Sequence, residues 1–134
     1  MRCLRPLTVD GITLYEGKIV LIRRGHEPFK GMLAIPGGFV EKDETVEQAV
    51  LRETKEETGL DAEIKHLVGV YSNPHRDPRG PTVSVCYVLK ATGGKLKASS
   101  DAAAVELVSP EHVPALAFDH NKMVEDAERC MKGR

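Results

Sequence analysis

The sequence predicts an α/β sandwich, a mixed β-sheet covered by helices, and three observations carry that reading. Apolar, β-branched runs at residues 7–15, 18–24, 62–71 and 82–91 have the composition of strands. Two segments, one inside residues 38–60 and the other at 119–131, place apolar side chains at helical spacing. At 134 residues the chain is long enough for one domain with a real core and too short for two ordinary ones.

Taken in order, residues 7–15 form a strand with Gly11 marking a bulge, and Glu16-Gly17 turns the chain into a second strand, 18–24, to make a hairpin. Arg23 and Arg24 close that strand. Successive strand residues point to opposite faces, so only one of the two can face a pocket. We assign Arg23 as the candidate phosphate contact, and a bare, exposed strand end is an equally open reading. Residues 25–31 are a loop with Pro28 and Phe29, followed by a strand-like Met32-Leu33-Ala34-Ile35. Pro36-Gly37-Gly38 supplies a tight turn that lets backbone approach a ligand closely.

The next element is a helix. Asp43 or Thr45 can cap its start, acidic residues crowd its first turn, and Gly59 sits where a left-handed C-terminal cap is wanted. Beyond it, 62–71 is a strand and 72–81, SNPHRDPRGP, is a loop rich in proline and charge. A strong strand at 82–91 leads through a Thr92-Gly93-Gly94 turn into a short strand at 95–97. Ser99-Ser100-Asp101 forms a polar loop before a last strand, 104–108, and the chain closes with an amphipathic helix at 119–131 carrying Met123, Ala127, Cys130 and Met131. No repeat, low-complexity tract or interdomain linker interrupts the series.

The central helix has an unusual face. At about 100° per residue, Val46, Ala49 and Val50 fall on one side, and Glu53, Glu56 and Glu57 continue that side. Carboxylates at i, i+3 and i+4 repel one another, so a cation is needed among them. Hard divalent ions take oxygen ligands, and Mg²⁺ is commonly held by a few carboxylates together with substrate phosphates. The helix face therefore points to Mg²⁺ or Mn²⁺. A solvated helix end, with Arg52 and Lys55 as partial counter-charges, is the plainer alternative. The preceding strand and glycine turn favour the phosphate-facing reading.

The stretch from Gly38 to Leu60 resembles the Nudix hydrolase signature, Gly-x5-Glu-x7-Arg-Glu-U-x-Glu-Glu-x-Gly-U, where U is a bulky aliphatic residue. Gly38, Glu44, Arg52, Glu53, Glu56, Glu57 and Gly59 match the fixed positions, and Leu60 the last aliphatic one. Thr54 replaces the first aliphatic residue; it is β-branched and close to Val in volume. Outside this box, Leu33 to Glu41, Tyr71 to Pro74 with Arg76 to Arg79, and Leu116 to His120 resemble the ADP-ribose pyrophosphatase branch, although Leu33 stands where that branch often has Trp.

This resemblance implies a Nudix-type α/β/α sandwich with a loop-helix-loop catalytic motif. It also implies a single hydrolase domain over residues 1–134, Mg²⁺ (or Mn²⁺) as cofactor and a small nucleotide as substrate. Glu53, Glu56 and Glu57 would hold the metal with the Gly37 carbonyl, and Arg52 and Glu44 would orient them. The general base is either one of the box glutamates or a carboxylate beyond the box. Asp101 is the chosen candidate and Glu106 the second, with a plain turn residue the alternative for Asp101. For the substrate, Arg76 and Arg79 are the candidates for the diphosphate or ribose, and Phe39, Tyr71 or Phe118 for stacking on adenine, where a core role competes for each aromatic. The loop carrying the arginines has a homodimer contact as its alternative role.

The expected reaction is cleavage of ADP-ribose to AMP and ribose 5-phosphate. The alternatives are hydrolysis of a nucleoside triphosphate or dinucleoside polyphosphate, and a non-catalytic ADP-ribose or nucleotide sensor. A formal charge of -1 gives no electrostatic footprint for nucleic acid or a membrane surface. Cys3, Cys86 and Cys130 are far apart and odd in number, the pattern of neither a disulfide framework nor a zinc set, which suits a reducing cytoplasm, and no signal peptide or spanning segment is evident.

Overall fold

The computed structural model describes residues 4–97 and 104–133. Strand β1 (Leu7–Tyr15) and strand β2 (Lys18–Arg23) pair antiparallel, with Thr13 opposite Val20. The turn between them places Glu16 and Gly17 at φ 51° and 79°, the left-handed backbone whose twist suits a two-residue hairpin. Next come β3 (Leu33–Ala34), β4 (Gly37–Phe39) and helix α1 (Val46–Thr58). Strands β5 (Leu60–Tyr71), β6 (Val83–Gly94) and β7 (Ala104–Val108) and helix α2 (His120–Lys132) complete the described chain.

The strands form one seven-stranded sheet in the order β3-β2-β1-β6-β5, with β4 also on β1 and β7 also on β2. Pairing of β1 with β6 is parallel and every other pairing is antiparallel, so the sheet is mixed, as expected. The two-residue period of β6 divides the core. Cys86 and Val88 pack with Ile12, Leu21, Met123 and Ala127 on the α2 side, while Tyr87 and Leu89 pack with Val9, Ala49 and Val50 on the α1 side. One helix thus covers each face. Among the described residues no helix is long and apolar enough to cross a membrane.

Helix α1 starts at a reciprocal cap. Thr45 Oγ1 accepts from the Gln48 N–H at 3.0 Å, and Gln48 Oε1 accepts from the Thr45 N–H at 2.9 Å. It ends at Gly59, whose φ of 83° allows its N–H to reach Lys55 O at 2.9 Å. Of the two N-cap candidates, Thr45 therefore serves.

Several elements differ from expectation. Gly11 makes no bulge against β6, because the β1–β6 register runs unbroken through Gly11 and Tyr87. A Cβ there would lie 2.8 Å from Leu89 Cδ1 and 3.0 Å from Val50 Cγ2, so the glycine serves close packing of α1 on the sheet. Gly37 and Gly38 are strand residues, not a turn, held opposite Asp10 and Val9. Gly93 and Gly94 extend β6 and pair with Asp61 and Leu60, which carries the strand through the expected turn, and residues 95–97 are not a strand. Here the pairing available from the start of β5 outweighs the turn preference of Gly-Gly.

Candidate active site

Helix α1 packs so that its buried stripe runs through Ala49, Val50, Thr54 and Thr58. Thr54 takes the aliphatic position with no exposure, and its hydroxyl has no partner. Glu53 and Glu57 flank the stripe, half-buried, while Glu56 lies at the exposed edge. Arg52 organises the carboxylates. Its Nε donates to Glu44 Oε2 at 3.0 Å and its Nη2 to Glu44 Oε1 at 2.6 Å, a two-pronged pair across the start of the helix. Nη1 lies 3.2 Å from Glu56 Oε1 and 3.3 Å from Glu53 Oε2, and Nη2 also donates to Phe39 O at 3.2 Å. The Arg52 hydrogen bonds and the Glu41 N–H hold the Glu44 carboxyl down at about 2.

Two glycines make room for the other carboxylates. A Cβ on Gly38 would lie 2.2 Å from Glu53 Oε2, and a Cβ on Gly37 would lie 2.1 Å from Val9 O and 2.6 Å from Asp10 Oδ1. The Gly37 N–H donates to Glu57 Oε1 at 2.7 Å. Burial pushes the Glu57 carboxyl up to about 8, with the charges of Glu53 and Asp10 adding to the rise and the Gly37 bond opposing it. Burial also raises Glu53.

These residues fit a hard divalent cation in chemistry: an oxygen-rich helix face whose ionised form lacks sufficient counter-charge. Among the described residues, no three His, Cys, Asp or Glu side chains converge as a ready-made cage. Glu53 and Glu56 are turned to Arg52, and Glu57 to Gly37.

The cleft in front of Glu57 has a basic, aromatic wall. Arg24, not Arg23, lines it. Strand β2 ends at Arg23, whose side chain turns to Glu106 on β7 at 2.7 Å and to Gly31 O at 2.7 Å. Arg24 Nε donates to Pro28 O at 2.6 Å, its guanidinium lies 5.0 Å from the Phe118 ring centre, and its buried Nη2 has no partner. Arg79 lies 5.7 Å from the ring centres of both Phe39 and Phe118 and is anchored by Asp77 at 2.9 Å. Phe118 holds φ 54° in the left-handed region, fixed between the Ala117 N–H bond to Leu33 O and the pairing of Asp119 with Arg76.

Arg76 also lines the cleft, but its donors are engaged: Nε and Nη2 bond both Asp119 oxygens, at 2.9 and 2.8 Å, and Nη1 bonds Thr82 Oγ1 at 2.7 Å. Tyr71 packs on the α2 side, its hydroxyl donating to Asp126 Oδ2 at 2.8 Å, away from the cleft. Asp101 lies outside the described residues. Asp10, Asp77 and His120 are buried in the cleft wall and were missed by the sequence reading. Asp77 and His120 lie within segments that resemble the ADP-ribose pyrophosphatase branch but drew no role of their own, and Asp10 is signalled only as a lone Asp inside an apolar strand.

A NUDIX domain model matches residues 4–127. An ADP-ribose pyrophosphatase of Methanocaldococcus jannaschii is 52% identical over 127 residues, covering 95% of this chain and 75% of that protein. An ADPR-responsive transcriptional repressor of Acinetobacter baylyi is 34% identical over 82% of this chain, which spans only 46% of the repressor's length. Among solved structures, the NUDIX domain of Shewanella oneidensis NrtR in complex with ADP ribose matches with a TM-score of 0.81 at 30% identity, covering 97% of this chain and 90% of that one.

Proposed function

The chain belongs to the Nudix hydrolase family, and from that premise we propose that it is a Mg²⁺-dependent pyrophosphohydrolase that cleaves ADP-ribose, with water, to AMP and ribose 5-phosphate. The observation that carries this reading is the single cleft in which the carboxylate of Glu57 faces Arg24, Arg79, Phe39 and Phe118. The similarity to the Methanocaldococcus enzyme supports the choice of substrate.

In this reading Glu53, Glu56 and Glu57 hold the cation, with Gly37 backbone beside them, and Arg52 and Glu44 fix the helix carboxylates. Bound Mg²⁺ supplies charge relief at the diphosphate and acidity to water. Arg24 takes the phosphate-contact role in place of Arg23, because it lines the cleft with Glu57 and Arg79 while Arg23 is turned to Glu106. Arg79 and the two aromatic rings form the platform for base or ribose. Arg76 shapes this wall by fixing Asp119. The base is a box glutamate or Asp101. We place the enzyme in the cytoplasm, for which a buried, unbridged Cys86 is suited.

The test is a substrate panel with Mg²⁺, in which ADP-ribose gives the highest kcat/KM, ahead of ATP and dinucleoside polyphosphates. A faster ATP reaction overturns the substrate assignment. The likeness to an ADPR-responsive repressor favours a second reading, a sensor that binds ADP-ribose and leaves it intact. Tight binding without release of AMP would establish that reading instead.

A further inference from the structure

We propose that Asp10 and His120 are positioning residues that together hold segment 35–37 where the Gly37 N–H meets Glu57. The inference rests on the reading of Glu57 as a metal-holding carboxylate, and it concerns a pair that lies outside the Nudix box.

Both side chains are buried in the wall of the cleft, His120 at 3% and Asp10 at 6% exposure. His120 Nδ1 accepts from the Ile35 N–H at 3.0 Å. With Nδ1 as acceptor, a neutral ring carries its proton on Nε2, which lies 3.3 Å from Asp10 Oδ1. Asp10 Oδ2 in turn accepts from Ser84 Oγ. The ring is bonded at Nδ1 and lies against a carboxylate at Nε2, so its orientation is set from both ends.

Backbone contacts carry this order to the metal-holding carboxylate. The Gly11 N–H bonds Pro36 O at 2.9 Å, and Asp10 stands opposite Gly37 in the β1–β4 register. Asp10 Oδ1 would sit 2.6 Å from a Cβ on Gly37, so its carboxylate rests against the glycine itself. One residue before Pro36, Ile35 is gripped by His120; one residue after, Gly37 donates to Glu57. Helix α2 contributes to the site through its first residue, and the sheet contributes through Asp10.

The test uses Asp10→Asn and His120→Asn in the whole chain, each read in two ways that do not require turnover. Asp10→Asn retains shape and an acceptor for Nε2–H. His120→Asn retains an acceptor near Nδ1 but loses the reach to Asp10. Hydrogen exchange at the Gly37 amide, followed by NMR against the Val88 amide as an internal control, is expected to accelerate at least about tenfold in His120→Asn while Val88 is unchanged. Mn²⁺ affinity, measured by calorimetry on the protein alone, is expected to fall about 10-fold or more in His120→Asn, which keeps every carboxylate of the site, and less in Asp10→Asn, which keeps the acceptor for the ring. Where the chain hydrolyses ADP-ribose, the loss appears in kcat with KM within about threefold. Gly37 exchange that tracks Val88, together with Mn²⁺ affinity unchanged in both variants, overturns the proposal and leaves the pair as core packing. Failure of ADP-ribose as a substrate bears on the proposed function alone, because neither primary readout uses it.

Discussion

Arg76 and Asp119 meet across 43 residues of sequence through two hydrogen bonds, of 2.9 and 2.8 Å, and tie the loop between β5 and β6 to the start of α2. The arginine side chain is 4% exposed and the aspartate 25%. Removing one partner leaves the other charged and largely desolvated. Arg76→Ala is therefore expected to cost on the order of 2–3 kcal/mol, at the low end for a buried pair because Asp119 retains some water. Urea unfolding checks this. An unchanged midpoint refutes the pair's structural role.

The cleft arginines should separate by function. Arg24→Ala is expected to raise KM for ADP-ribose about tenfold, the effect of losing one charge-assisted contact to phosphate, and Arg23→Ala to change it less than about twofold. Steady-state kinetics on both variants decides whether strand parity or mere proximity selects the contact.

Glu53→Gln and Glu57→Gln should each lower activity by at least about 100-fold with the fold intact, and EDTA should abolish it reversibly. Circular dichroism alongside the assay separates site from fold. Full turnover in excess chelator would remove the metal from the mechanism.

The raised Glu57 carboxyl makes a signed prediction. Its folded value of about 8 exceeds the ordinary 4.5, so the folded protein binds a proton that the unfolded chain gives up. Stability from this group is complete below about 4.5 and is lost as pH rises through about 8. In chelator, Tm should fall across that window. Saturating Mg²⁺ should flatten the slope, and Mg²⁺ uptake at pH 7 should release protons into the buffer. A chelated protein with a Tm that rises from pH 5 to 8 contradicts the assignment.

Gly38→Ala should be inactive although nothing in its backbone angle demands glycine. The new methyl would stand 2.2 Å from Glu53 Oε2 and force that carboxylate away. Loss of Mn²⁺ binding with little change in Tm is the expected outcome, and calorimetry with thermal melts measures it.

Much of this was legible in the chain. The caps of α1 and the hairpin follow from local chemistry, which sequence expresses directly, while the orienting role of Arg52 and Glu44 comes from the family resemblance and their mutual pairing from the structure. What escaped depends on partners remote in sequence. Whether Arg23 or Arg24 faces the cleft turns on where β2 ends and on Glu106 waiting on β7. Whether Gly37 and Gly38 turn or extend turns on β1 offering them a ladder. Asp10 and His120 are 110 positions apart, and neither residue alone signals the other.

Arg52 bears on how the proposed metal site would take up an ion. One guanidinium nitrogen already touches both Glu53 and Glu56, while the other prongs stay on Glu44. Under the proposed metal assignment, cation uptake at these carboxylates would be an exchange, one positive charge relieving another of its post. The affinity measured for any ion is the difference between two occupants and understates the pull of the glutamates themselves. Because the Arg52 prongs on Glu44 are separate from the one on Glu53 and Glu56, that exchange would reverse without a search, and a chelated site would be recharged as found.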